Sequence, residues 1–84
     1  MYPEMIKLDI CESKSIKKAF YNLVTKVLVV EFHSVKEILY VYENVPDVIA
    51  VQFEATESAG KYFLNNIKNK FEFKKLDNKI NNLE

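Results

Sequence analysis

Eighty-four residues make one domain at most, and a chain of this size buries only about 60–65 % of its unfolded surface. Apolar residues are 49 % and the eleven Phe and Tyr bring aromatics to 13 %, a globular rather than a disordered composition, while the formal net charge is zero. No apolar run approaches the roughly 18 residues of a membrane span, and the chain lacks a secretory signal's basic start and apolar stretch. Cys11, the only cysteine, excludes an internal disulfide and a cysteine-built zinc site, so a cytoplasmic, reduced protein is expected.

In chain order, residues 1–12 read as an N-terminal extension. There Ile6, Leu8 and Ile10 alternate with Lys7, Asp9 and Cys11, the pattern of a short edge strand. Ile16 to Tyr21 reads as a strand and Asn22 to Lys26 as a turn. Val27 to Phe32, dense in β-branched and aromatic residues, is the clearest strand. A hairpin loop without glycine spans 33–36, and Glu37 to Tyr42 returns. A three-residue loop would put Leu28 and Val30 on the face of Ile38, Tyr40 and Tyr42. A two- or four-residue loop would put them with Leu39 and Val41, and both sets are apolar.

The period then changes. Val45-Pro46-Asp47 is a helix start, with proline in the first turn and aspartate complementing the helix dipole. Val45, Val48, Ile49, Gln52 and Phe53 follow at helical spacing to about Ala55. After a break at Thr56 to Ser58, either of which could cap, a second helix runs to about Asn69 with Ala59, Phe63 and Ile67 on one side. Gly60, the only glycine, lies in or just before its first turn and is expected either to have positive φ or to pack its backbone closely. Phe71 to Leu76 reads as a final strand. Residues 77–84 read as a tail, and a terminal Leu83-Glu84 is the kind of pair an expression vector leaves.

Charge is segregated. Residues 31–60 hold six acids and one lysine, whereas 61–79 hold six lysines and two acids. All twelve basic residues are lysine, which lacks the planar fork that reads guanine and phosphate bidentately. A solvated surface accounts for such segregation; so does a basic face made for a polyanion. Tyr40 and Tyr42, at i and i+2, share one strand face. They are either core rings with hydroxyls at the rim or an exposed stacking platform. In the second case Lys61, Lys68, Lys70, Lys74 and Lys75, interleaved with Tyr62, Phe71 and Phe73, supply the electrostatic part.

Catalytic signals are weak. Ser58-x-x-Lys61 matches the serine–lysine pair of some acyl enzymes, but its partner motifs are missing and a turn or cap role fits Ser58 better. Gly60-Lys61 lacks the upstream glycine and following Ser or Thr of a phosphate loop. Cys11 with His33, the only histidine, is a poor nucleophile–base pair, and an inert thiol is the better reading. The carboxylates Glu31, Glu37 and Glu43 sit on strands whose facing the sequence leaves open, and with a single histidine nothing supports a metal site, so neither metal nor cofactor is expected.

From about Ser13 to Leu76 the chain resembles the KTSC domain family. The resemblance is carried by Ile16 and Tyr21, then Leu28, Val30 and Phe32, the Y-x-Y element Tyr40 and Tyr42, and Val45-Pro46. It continues through Ser58-x-Gly60 with Tyr62-Phe63, Ile67, and an aromatic last strand with Phe71 and Phe73. That family is named for the C-terminal domain of some lysyl-tRNA synthetases and includes stand-alone bacterial and phage proteins. Its function is uncharacterised, with RNA binding suggested. The chain departs from it in the glycine-free hairpin loop, in Phe20 where a small residue is usual, and in lysines where relatives often carry arginine. The expectation is an α+β fold: a three-stranded antiparallel meander, two short helices and a final short strand, as one domain over 13–76. The expected function is a non-enzymatic binding module for RNA or single-stranded nucleic acid through the lysine and aromatic face. The alternative is a protein–protein adaptor using the acidic 31–60 region or an open sheet edge. Val45, Pro46, Ser58, Gly60 and Phe63 are expected to be structural.

Overall fold

The computed structural model describes residues 5–35 and 37–77. Its elements are β1 (Ile6–Lys7), β2 (Ile16–Asn22), β3 (Val27–Phe32), β4 (Ile38–Tyr42), α1 (Asp47–Ala55), α2 (Ala59–Asn66) and β5 (Phe73–Asp77). The strands form one five-stranded sheet in sequence order, antiparallel throughout. The α+β expectation holds, and the three-stranded meander is widened at both edges, by β1 and by β5 returning after the helices. Beyond Asp77 the expected tail lies outside the described residues.

Pairing of Leu28 with Tyr42 and of Val30 with Tyr40 settles the hairpin in the first of its two registers. A bulge between Ile16 and Lys18 adds one residue to β2, which lets Ile16, Ala19 and Tyr21 all turn inward. The inner face thus carries Ala19, Tyr21, Leu28, Val30 and Tyr42, all buried, and both helices cover it with Ala50, Phe53, Ala59, Phe63 and Ile67. The outer face carries Phe20, Val29 and Val41 side by side, half-buried and uncovered by either helix. Phe20, the departure from the family pattern, therefore lies away from the core.

Turn chemistry follows from the sequence. The Asn22 side-chain oxygen accepts from the Val24 and Thr25 amides at 2.8 and 3.0 Å, an Asx turn that lets a polar side chain be buried. The left-handed positions fall to Lys26, Glu37, Asn44 and Asn69, with φ between 59° and 66°. Gly60 is not among them, so the positive-φ expectation gives way to the close-packing one. A Cβ at Gly60 would lie 3.1 Å from Ser15 Oγ, because α2 passes close over the start of β2.

Pro46 is the N-cap of α1 rather than part of its first turn. Its φ of −64° and ψ of 154° keep it extended while its carbonyl accepts from the Ile49 amide. Phe53 is fully buried. Val48 is 55 % exposed, contrary to the stripe read from the sequence, and Gln52 is exposed too. Five residues of helix put Val48 about 140° around the axis from Phe53, so once Phe53 points inward Ala50 and Ile49 complete the stripe. The entry to α1 is clamped. The Tyr21 hydroxyl has one proton between two acceptors, the Val45 carbonyl at 2.5 Å and the Asp47 carboxylate at 2.9 Å. Lys26 Nζ reaches the same carboxylate at 2.6 Å, which with Tyr21 holds Asp47 below its usual carboxylate range.

Phe53→Ala is expected to cost about 3–5 kcal/mol in urea unfolding, the range for emptying an aromatic core site; a loss under about 1 kcal/mol would contradict this packing. Gly60→Val should lower stability by about 1–3 kcal/mol through overpacking against Ser15, and an unchanged melting temperature would rule that contact out. Burial raises both Tyr21 and Tyr42 to about 12, with Asp47 adding to the first and Tyr40 to the second. A pKa raised on folding stabilises below the unfolded value and is lost as pH climbs through the folded one. Tyrosinate absorbance should therefore show these two rings ionising only near pH 12, together with unfolding; ionisation of all tyrosines near pH 10 in the folded protein would contradict it.

Candidate functional site

Alternate positions of β4 place Tyr40 and Tyr42 on the inner face, and cross-strand pairing sets Phe73 beside Tyr42. Phe73 stacks on both tyrosines, 5.7 Å from Tyr40 and 5.3 Å from Tyr42, with interplanar angles of 29° and 28°. Phe32 on β3 meets Tyr40 edge-on at 5.1 Å. From α2, Phe63 drives its ring against Phe32 at 5.3 Å and Tyr42 at 5.6 Å, both edge-to-face. Such pairs each add about 0.5–1.5 kcal/mol beyond area burial, so the aromatic seam is a rigid surface.

Above this seam the sheet and α2 diverge and leave a groove of about 320 Å³. One wall is α2, through Gly60 and Leu64, continued by Lys68 just past the helix end. The other is Tyr40, Tyr42 and Phe73, and Ser15 and Asn69 add polar atoms at the margin. The missing side chain at Gly60 matters twice: it lets α2 approach Ser15, and it keeps the groove open. Lys75, on the inner face of β5, places its Nζ 5.7 Å from the Tyr40 ring centroid. The groove is thus apolar and aromatic within and cationic at the margin.

The candidate residues divide. Tyr42 is core, at 3 % exposure, so it offers a ligand little beyond a ring edge at the floor of the groove; burial pushes its hydroxyl up to about 12. Tyr40 is half-buried, and Phe73, at 46 % exposure, is the open ring of the three. Lys68 lines the groove, and Lys75 lies over the Tyr40 ring beside it. Lys70 borders a neighbouring depression formed with Asn69, Phe71, Glu72 and Phe73. Lys61 lies on the exposed side of α2, off the groove, and Lys74 points to the outer face, 3.4 Å from Glu43. Ser58 occupies the N-cap of α2 without a side-chain capping bond, its carbonyl accepting from the Tyr62 amide. Val45 is fully buried.

Phe32, Leu64, Asn69 and Ser15 join the groove from four separate segments, and no spacing in the sequence links them. Only Asn69 carried a local signal, since asparagine after a helix favours the left-handed conformation it adopts. The acids of 31–60 are largely engaged within the chain: Glu31 with Lys17, Glu43 with Lys74, Asp47 with Lys26, and Glu54 with the Asp9 amide. His33 Nε2 sits 3.1 Å from the Ser13 carbonyl, and Cys11 packs half-buried against the core. Among the described residues no three His, Cys, Asp or Glu side chains group to hold a metal ion, and no helix is long and apolar enough to cross a membrane.

The chain is similar in structure to a KTSC domain protein from Yersinia pestis, with a TM-score of 0.76 and 26 % identity over 87 % of this chain and 99 % of that one. A search of curated proteins gives no match. The family model for the KTSC domain matches residues 12–71, which span β2 to the segment before β5 and supply all of the groove but Phe73. The chain belongs to the KTSC domain family.

Proposed function

We propose that this protein is a small cytoplasmic, non-enzymatic binding module for RNA or single-stranded nucleic acid, and that the groove between α2 and β4–β5 is its site. One observation carries the reading: an aromatic groove with an exposed ring, Phe73, is lined by Lys68, with Lys75 over the Tyr40 ring and Lys70 in the neighbouring depression. Bases stack on aromatic faces whatever their identity, and lysine holds phosphate as a point charge. The absence of arginine argues for binding without bidentate base reading. The adaptor alternative loses its acidic surface, because most of those carboxylates already have lysine or amide partners. What supports it still is β5, an edge strand among the described residues with Leu76 exposed. Its adjacent Lys74 and Lys75 discourage pairing with a second copy of itself.

Fluorescence anisotropy with mixed-sequence RNA at two salt concentrations tests the proposal. Three lysines on phosphate give a slope of log K against log salt of about −2, from roughly −0.7 per contact. Lys68→Glu with Lys75→Glu should weaken all sequences alike. No detectable affinity at about 50 mM salt, where electrostatic binding is strong, would end the nucleic-acid reading.

A further inference from the structure

The groove differs along its length. Ser15 and Gly60 line one end, where α2 passes over the start of β2. Six residues of helix, at about 1.5 Å each, carry α2 roughly 9 Å from Gly60 to its last residue, Asn66, and Lys68 and Asn69 line the other end just beyond. Leu64, between the two, is 58 % exposed and makes an aliphatic wall opposite the aromatic one. The Ser15 end offers a hydrogen-bond donor. Ser13 Oγ accepts from the Ser15 and Ile16 amides, both at 3.2 Å, so its own proton goes to Ser15 Oγ, 3.3 Å away. The Ser15 proton then has no acceptor among the described residues, and it is left for solvent or a ligand. A Cβ at Gly60 would crowd this hydroxyl at 3.1 Å, so the glycine keeps that end open.

We infer that the groove holds one unpaired nucleotide lengthwise, its base at the Ser15 end against Leu64 and the aromatic wall and its phosphate at Lys68, an arrangement that rests on the nucleic-acid reading of the groove. The Ser15 hydroxyl donates to an acceptor on the base edge, and Lys68 meets the phosphate as a point charge. Every base carries such an acceptor, so the hydroxyl holds a base without selecting one. At about 320 Å³ the groove lies near the lower end of the range for small-ligand sites, about 300–1,000 Å³. It has room for one nucleotide and not for a base pair. A duplex must unpair and unstack a base before that base can enter, so single strands are preferred.

Oligoribonucleotides that are fully abasic, or abasic except for one uracil or two adjacent uracils, test this directly, alongside a duplex of equal length. At about 50 mM salt the abasic strand should bind weakly through its phosphates and the duplex more weakly than a single strand with bases. One uracil should tighten binding roughly tenfold, and a second should add little. Ser15→Ala should remove roughly three- to tenfold of that gain, leave the abasic strand unaffected and keep the wild-type salt slope. Its thermal melt should also stay at the wild-type value, because Ser13 and not Ser15 holds the backbone amides. Lys68→Glu should instead weaken every strand and flatten the salt slope. A one-uracil strand that binds no tighter than the abasic one overturns the inference, and a second uracil that adds as much again overturns the limit of one nucleotide. Wild-type affinity in Ser15→Ala, with binding still lost in Lys68→Glu, overturns the inference and leaves the nucleic-acid reading standing. No binding to any strand overturns both.

Discussion

The Phe63 ring is the point on which the rest of the molecule depends. It touches Phe32 of β3, Tyr42 of β4 and Phe53 of α1, with centroids 5.3, 5.6 and 6.4 Å away, and is itself buried. One side chain therefore ties α2 to two central strands and to the other helix. Gly60, one turn earlier, lets α2 sit close enough for that contact. Phe63 is also part of the groove lining, so the same packing that stabilises the domain rigidifies its candidate site. A site built on buried rings rather than on a loop has little conformational entropy left to lose when a ligand arrives.

The opposite end is held differently. Tyr21, Val45, Asp47 and Lys26 fix where the chain leaves the sheet and enters α1. Lys26 and Asp47 are about half-exposed, and surface pairs of this kind contribute little, because water screens them. The Tyr21 hydroxyl matters more, because it is buried and would cost about 1–3 kcal/mol if its acceptors were lost. Polar anchoring at one end and aromatic packing at the other leave the outer sheet face, with Phe20, Val29 and Val41, outside both devices.

Strand β3 and the end of α1 fall where the sequence put them, because β-branched density and the Thr56 break are local signals. The hairpin register was not legible. Leu28 and Val30 look much like Val27 and Val29, and only the helices covering one face distinguish them. Val48 departs from the expected stripe because helical spacing counted from Val45, which precedes the helix, differs from spacing counted from the buried Phe53. Glycine scarcity pointed to Gly60, yet its reason is proximity to Ser15, a contact between residues 45 apart in sequence that no local pattern encodes. The same limit applies to the groove. Its lysines and tyrosines could be nominated from composition, but sorting Lys68 and Lys75 from Lys61 and Lys74 needed the alternation of β5 and the rotation of α2.

The central claim is spatial: ligand meets the molecule on the α2–β5 side, not on the outer sheet face or the acidic surface. Backbone amide chemical shifts, followed while a short single-stranded RNA is titrated in at about 50 mM salt, measure that most directly. The account predicts perturbations gathered at Tyr40, Lys68, Asn69, Phe73 and Lys75, with Phe20, Val29 and Val41 unmoved. Perturbations centred on those outer-face residues, or on Glu37 and Asp47, would contradict it.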